Sequence, residues 1–97
     1  MADFEKTAYE DRIFGFDFGA KMLRSAKLVS IEAVVIARQS GVDVEPLTES
    51  ERAVSNKRAQ AKFSGGDAGA SYTITVKVTD SDGQKLEGEA MLDVVEL

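Results

Sequence analysis

Between Ser71 and Val95 the chain reads SYTITVKVTDSDGQKLEGEAMLDVV, and this stretch permits few folds. Tyr72, Ile74, Val76 and Val78 alternate with Thr73, Thr75, Lys77 and Thr79, the period of a strand with one buried and one wet face. Asp80-Ser81-Asp82-Gly83 then supplies turn residues. Beyond the turn, Leu86, Gly88, Ala90, Leu92 and Val94 share one parity, while Glu87, Glu89 and Asp93 share the other. The pattern predicts a β-hairpin whose apolar face needs a second layer to cover it. Lys77 can pair across strands with Glu87 and Glu89, a contact that adds only about 0.2–1 kcal/mol when exposed.

The alternation extends upstream. Phe14, Phe16 and Phe18 are separated by Gly15 and Asp17, an aromatic strand in which a glycine marks a bulge or a close backbone approach. LVSIEAVVIARQSG, from Leu28 to Gly41, is rich in β-branched residues and reads as another strand. Its parity places Leu28, Ser30 and Glu32 on one face and Val29, Ile31, Ala33 and Val35 on the other. Residues 46–60 are ambiguous between strand, loop and short helix. Thr48 and Glu51 have capping-box spacing, yet Ser55-Asn56-Lys57-Arg58 interrupts any apolar stripe, so a helix fails on periodicity. Ala59, Ala61 and Phe63 restore a strand, and Pro46 belongs in a connection or at an edge. Six or seven short strands predict an all-β chain, a small immunoglobulin-like antiparallel β-sandwich over residues 12–97. The Cys–Trp–Cys core of immunoglobulin domains is missing, so the likeness is one of architecture.

Residues 1–11 lack periodicity and read as an N-terminal arm. Such a tail either frays or, through Phe4 and Tyr9, its only large apolar anchors and the candidate interaction residues, docks on a neighbouring subunit. Removal of the arm is expected to leave the sandwich folded.

Composition excludes several functions. A chain of 97 residues supports one domain and leaves little room for a deep substrate cavity. Its net charge of −5, with scattered Lys and Arg, argues against nucleic acid as a partner. Cysteine and histidine are both absent, which removes disulfides, thiolate metal sites, Cys nucleophiles and His-based acid–base catalysis. There is no secretory signal and no apolar run of ~20 residues, so no membrane partner is expected, and synthesis and folding in a reducing cytoplasm are.

Three motifs invite a chemical reading. Ser64-Gly65-Gly66-Asp67-Ala68-Gly69 lacks the following Lys and helix of a phosphate loop, so Gly65, Gly66 and Gly69 are read as positive-φ positions in a strand connection. Asp80 and Asp82 resemble the start of a calcium loop, but Gln84 and Lys85 stand where the pattern demands a ligand and a glycine. Asp17 lies on the parity opposite its aromatic neighbours, so solvent or a backbone hydrogen bond should satisfy it. No catalytic, cofactor or metal residues are therefore expected, and no enzymatic activity.

Two resemblances follow. Phe16-Asp17-Phe18-Gly19 with the late Tyr72-Thr73-Ile74-Thr75-Val76 strand is similar to PKD-type immunoglobulin-like modules, which bind carbohydrate or protein. The chain departs from that pattern after Gly19 and before Tyr72, and its start at Met1 and end at Leu97 weigh against a module cut from a larger protein. A closer likeness spans nearly the whole chain. Phe16-Asp17-Phe18, Leu23, the strand from Leu28 with Ser30, the FSGGDAGASYTITVKV block and Asp82-Gly83 resemble the small sandwich proteins of tailed bacteriophages that serve as fibre–tail adaptors or neck-region proteins. That resemblance implies a non-enzymatic virion subunit, in a ring or repeated copies, docking fibre, tail or connector proteins. It would be assembled in the host bacterial cytoplasm, with an acidic surface that avoids packaged DNA.

Overall fold

The computed structural model describes residues 3–41 and 45–96. Among the described residues seven strands follow in order: β1 (Phe4–Thr7), β2 (Arg12–Asp17), β3 (Leu28–Ser40), β4 (Leu47–Ser55), β5 (Arg58–Gly65), β6 (Ser71–Asp80) and β7 (Lys85–Val95). The only helical turn among the described residues is a 3₁₀ turn at Gly19–Lys21. One sheet has the order β1-β7-β6-β3 and the other β2-β5-β4. Reading β2 to β7 as strands B to G gives B-E-D against C-F-G, the immunoglobulin arrangement. β1 joins the second of these sheets, parallel to β7, in the register Phe4↔Leu92 to Thr7↔Val95.

The hairpin reads as the alternation predicts. β6 and β7 hold one unbroken register from Ser71↔Asp93 to Thr79↔Lys85, and Tyr72, Ile74, Val76, Val78, Ala90, Leu92 and Val94 are all buried. Facing them are Phe14, Phe16 and Phe18 with Ala59, Ala61 and Phe63. Register sets Phe14 beside Ala61 and Phe16 beside Ala59, so each large ring has a small neighbour and the layer can interdigitate. Each buried Phe contributes about 1.5–3 kcal/mol through removal from water. Gly15 sits in an unbroken β2–β5 register, and the Arg58 guanidinium lies over it in the space a Cβ would fill. Close approach is its role.

Residues 46–60 resolve into β4, a turn at Asn56-Lys57 and the start of β5. Ser55 pairs with Arg58 across that turn, so the tetrapeptide that broke the helical stripe is the hairpin loop.

β3 departs from the simple parity. Register shifts at Leu28/Ser30, Ile31/Ala33 and Arg38/Ser40 each add a residue, and each flips the faces beyond it. Leu28, Ile31, Val34 and Ile36 pack on the core, while Val29 and Val35 face solvent.

The arm also differs from expectation. Residues 1 and 2 lie outside the described residues, but Phe4–Thr7 form β1. Phe4 stacks on Phe14 with ring centroids 4.5 Å apart and meets Phe16 edge-on at 5.3 Å. Lys6, on the same parity, is fully buried.

Candidate docking surfaces

The sandwich measures 42 × 20 × 20 Å, so it has two poles. Three connections meet at one: β2–β3, β4–β5 and β6–β7. They are laced by polar contacts. Lys57 Nζ donates to the carbonyls of Leu23 and Arg24 at 3.0 Å and of Ala26 at 2.7 Å. Ser81 N–H donates to Lys27 O at 2.7 Å, and Leu28 N–H to Asn56 O at 2.7 Å. Asp80 is buried, and its Oδ1 accepts from the N–H groups of Asp82 and Gln84, both at 2.9 Å. That carboxylate therefore shapes a turn. Leu23 stands out from this pole 60 % exposed.

The opposite pole carries the glycine corner. Gly65, Gly66 and Gly69 have φ of +80°, +87° and +89°, as the strand-connection reading requires. Tyr72 Oη accepts from Asp67 N–H at 3.4 Å, Ala70 N–H donates to Asp67 O at 3.0 Å, and Gly69 N–H to Val94 O at 2.7 Å. A tyrosine near the start of the F-equivalent strand, bonded back to the preceding corner, is a feature of immunoglobulin-like sandwiches.

Beside the corner lies the chain from Thr7 to Asp11. Thr7 N–H donates to Glu10 Oε1 at 2.8 Å and Glu10 N–H to Thr7 O at 3.2 Å, closing a turn with Tyr9 at its tip. Tyr9 is 95 % exposed. It borders a shallow depression of about 520 Å³ lined by Thr7, Ala8, Ala68, Val95 and Glu96. Lys6 ties turn and corner together: its Nζ donates to Gly65 O at 2.5 Å and to Thr7 O at 2.8 Å. Desolvation holds this ammonium below the ordinary lysine pKa, against the opposing pull of Asp11 and then Glu10.

The two sequence-predicted interaction residues thus part company. Phe4 is committed to its own fold, and Tyr9 is offered to solvent. Sequence reasoning missed Lys6, whose signal was its shared parity with Phe4, and missed Ala68 and Val95 beside Tyr9. Asp17 is exposed and accepts Gly19 N–H at 2.8 Å, as its parity indicated. No group of three or more His, Cys, Asp or Glu able to hold a metal occurs among the described residues.

Fold and surfaces define a small immunoglobulin-like sandwich, its core filled by side chains and its poles and sheet edges open to other molecules. A family model described as podophage GP4 fiber-tail adaptor protein gp77 matches residues 6–93, and the chain belongs to that family of phage fibre–tail adaptors. It is a structural component of the virion tail that works with tail and fibre proteins. No curated protein and no solved structure matches the chain.

Proposed function

We propose that the chain is a non-enzymatic adaptor present in repeated copies around the tail or neck of the virion, where the pole bearing Tyr9 docks a fibre or connector protein. Tyr9 carries this reading. A tyrosine that exposed on a turn fixed by Lys6 and Glu10 has no role inside its own fold, and aromatic side chains are favoured anchors at protein interfaces. Membership of a fibre–tail adaptor family supports a position between fibre and tail proteins. Ala68 and Val95 line the depression that Tyr9 borders, and repetition around an axis turns one modest contact into firm attachment.

Complementation tests it. A phage lacking the gene is supplied with wild type, Tyr9→Ala or Tyr9→Phe, and purified virions are assayed for this chain and for fibres. Tyr9→Ala should fold normally yet lower fibre occupancy or its own incorporation, with Tyr9→Phe retaining most of both. Unchanged virions with Tyr9→Ala would remove the docking role from this pole. Absence of the wild-type chain from virions would sink the adaptor reading itself.

A further inference from the structure

β3 is the longest strand and ends its sheet: β6 pairs with one flank, and no strand of this chain pairs with the other among the described residues. The unpaired N–H and C=O groups of such an edge are a template for another strand, and natural proteins blunt them with bulges, charges or proline. Here the bulges stand only at the ends. Between Ile31/Ala33 and Arg38/Ser40 the strand runs from Ala33↔Lys77 to Arg38↔Tyr72 without a break.

The residues there are Glu32-Ala33-Val34-Val35-Ile36-Ala37-Arg38. In a chain with 30 % charged residues, five successive positions carry no polar side chain. The segment is also symmetric about Val35. Ala33 matches Ala37, Val34 matches Ile36, and opposite charges stand at the two ends.

We propose that β3 pairs antiparallel with β3 of a second copy, about a two-fold axis at Val35, joining two four-stranded sheets into one continuous sheet. Val35 then faces Val35, Val34 faces Ile36 and Ala33 faces Ala37. Glu32 of each copy comes to the end of the segment where Arg38 of the other stands. Parallel pairing in register would instead set Glu32 beside Glu32 and Arg38 beside Arg38, and like charges directly opposed are destabilising. A two-fold interface needs a patch complementary to itself, and this segment is one.

The surroundings suit a covering strand. Val34 and Ile36 are half-buried against the core, with β4 alongside β3, and the second strand lengthens this apolar layer at the sheet edge. Two shallow grooves lie where the β3 edge meets β4, one at Val29–Ile31 with Arg52–Val54, the other at Ile36, Arg38, Pro46 and Leu47. On the outer face Ala33, Val35 and Ala37 adjoin Lys77, Thr75 and Thr73, so the residue directly beside the axis is uncharged and Lys77 stands one diagonal position away.

This contact is independent of the docking pole and is decided on the purified chain alone. Light scattering should report twice the 10.5 kDa chain mass. The chain has no cysteine, so Val35→Cys introduces its sole thiol. Directly opposed residues bring their Cβ atoms to about 4.5–5.5 Å, close enough for a disulfide after slight adjustment. Val29→Cys, exposed on the same strand but outside the regular stretch, is the control. The Val35→Cys chain should cross-link at least about tenfold faster than the Val29→Cys chain, since the dimer holds the axial thiols at high effective concentration. Val35→Lys places two ammonium groups at the axis and should give a folded monomer, while Val35→Ile should remain dimeric. A wild-type chain that stays monomeric up to ~1 mM, or a dimer in which Val35→Cys links no faster than Val29→Cys, overturns the proposal.

Discussion

Two glycines in one corner allow backbone strain to be separated from crowding. Gly66 and Gly69 have nearly the same φ, +87° and +89°. A Cβ on Gly69 would meet nothing within 4 Å, whereas a Cβ on Gly66 would lie 2.8 Å from Val94 Cγ2 and 3.5 Å from both Leu47 Cδ1 and Tyr72 Cε2. An L residue at such φ costs about 1–2 kcal/mol, and replacing glycine returns about 0.4–1 kcal/mol by restricting the unfolded chain. Gly69→Ala should therefore lose about 0.5–1.5 kcal/mol. Gly66→Ala carries the same backbone balance plus about 1–3 kcal/mol for overpacking against a buried valine, giving a loss of about 1.5–4.5 kcal/mol. A domain of this size has about 5–15 kcal/mol in all, and each kcal/mol moves Tm by about 4–8 °C. The assay is urea unfolding followed by far-UV circular dichroism, with the m-value required to stay constant. Combining Gly66→Ala with Val94→Ala removes the obstructing methyl groups, so the pair should couple favourably by about 1–2 kcal/mol. Equal losses at the two glycines would show that the Val94 contact yields freely. Neutral behaviour at both would refute the account of this corner as a backbone requirement.

Other perturbations test the remaining parts. Phe4→Ala should cost about 1.5–3 kcal/mol by thermal unfolding, because Phe4 packs on Phe14 and Phe16, while Tyr9→Ala should stay within about 0.5 kcal/mol; deletion of residues 1–11 is therefore expected to destabilise the sandwich. Asp80→Ala leaves the N–H groups of Asp82 and Gln84 without their acceptor and should cost about 2–4 kcal/mol in urea titration. Lys6 has a folded-state pKa below its unfolded value, so in the window between them the unfolded chain holds more protons and stability rises with pH. Wild type should thus gain stability relative to Lys6→Met as pH climbs towards 10.5, and a pH-independent difference would contradict the burial of that ammonium.

How far the fold could be read depended on where side-chain period and backbone register agree. They agree across β6 and β7, where no bulge intervenes, so alternation alone located the core face. They disagree along β3, because apolar residues stand on both parities and nothing in the composition marks the three extra residues. β4 was obscure for a different reason: as an edge strand it exposes most of its length, and its pairing is fixed by the clearer β5. β1 was hidden by Lys6, since a charged residue on the inward parity reads as solvent-facing arm. What buries it is the carbonyl of Gly65, 59 positions away in the chain, a contact that no local pattern encodes. The same distant contact separates Phe4 from Tyr9. With Lys6 anchored at the corner, the preceding parity turns Phe4 inward onto Phe14. The Thr7–Glu10 turn then carries Tyr9 out of the strand, so two aromatics that look equivalent in the sequence become one core residue and one exposed anchor.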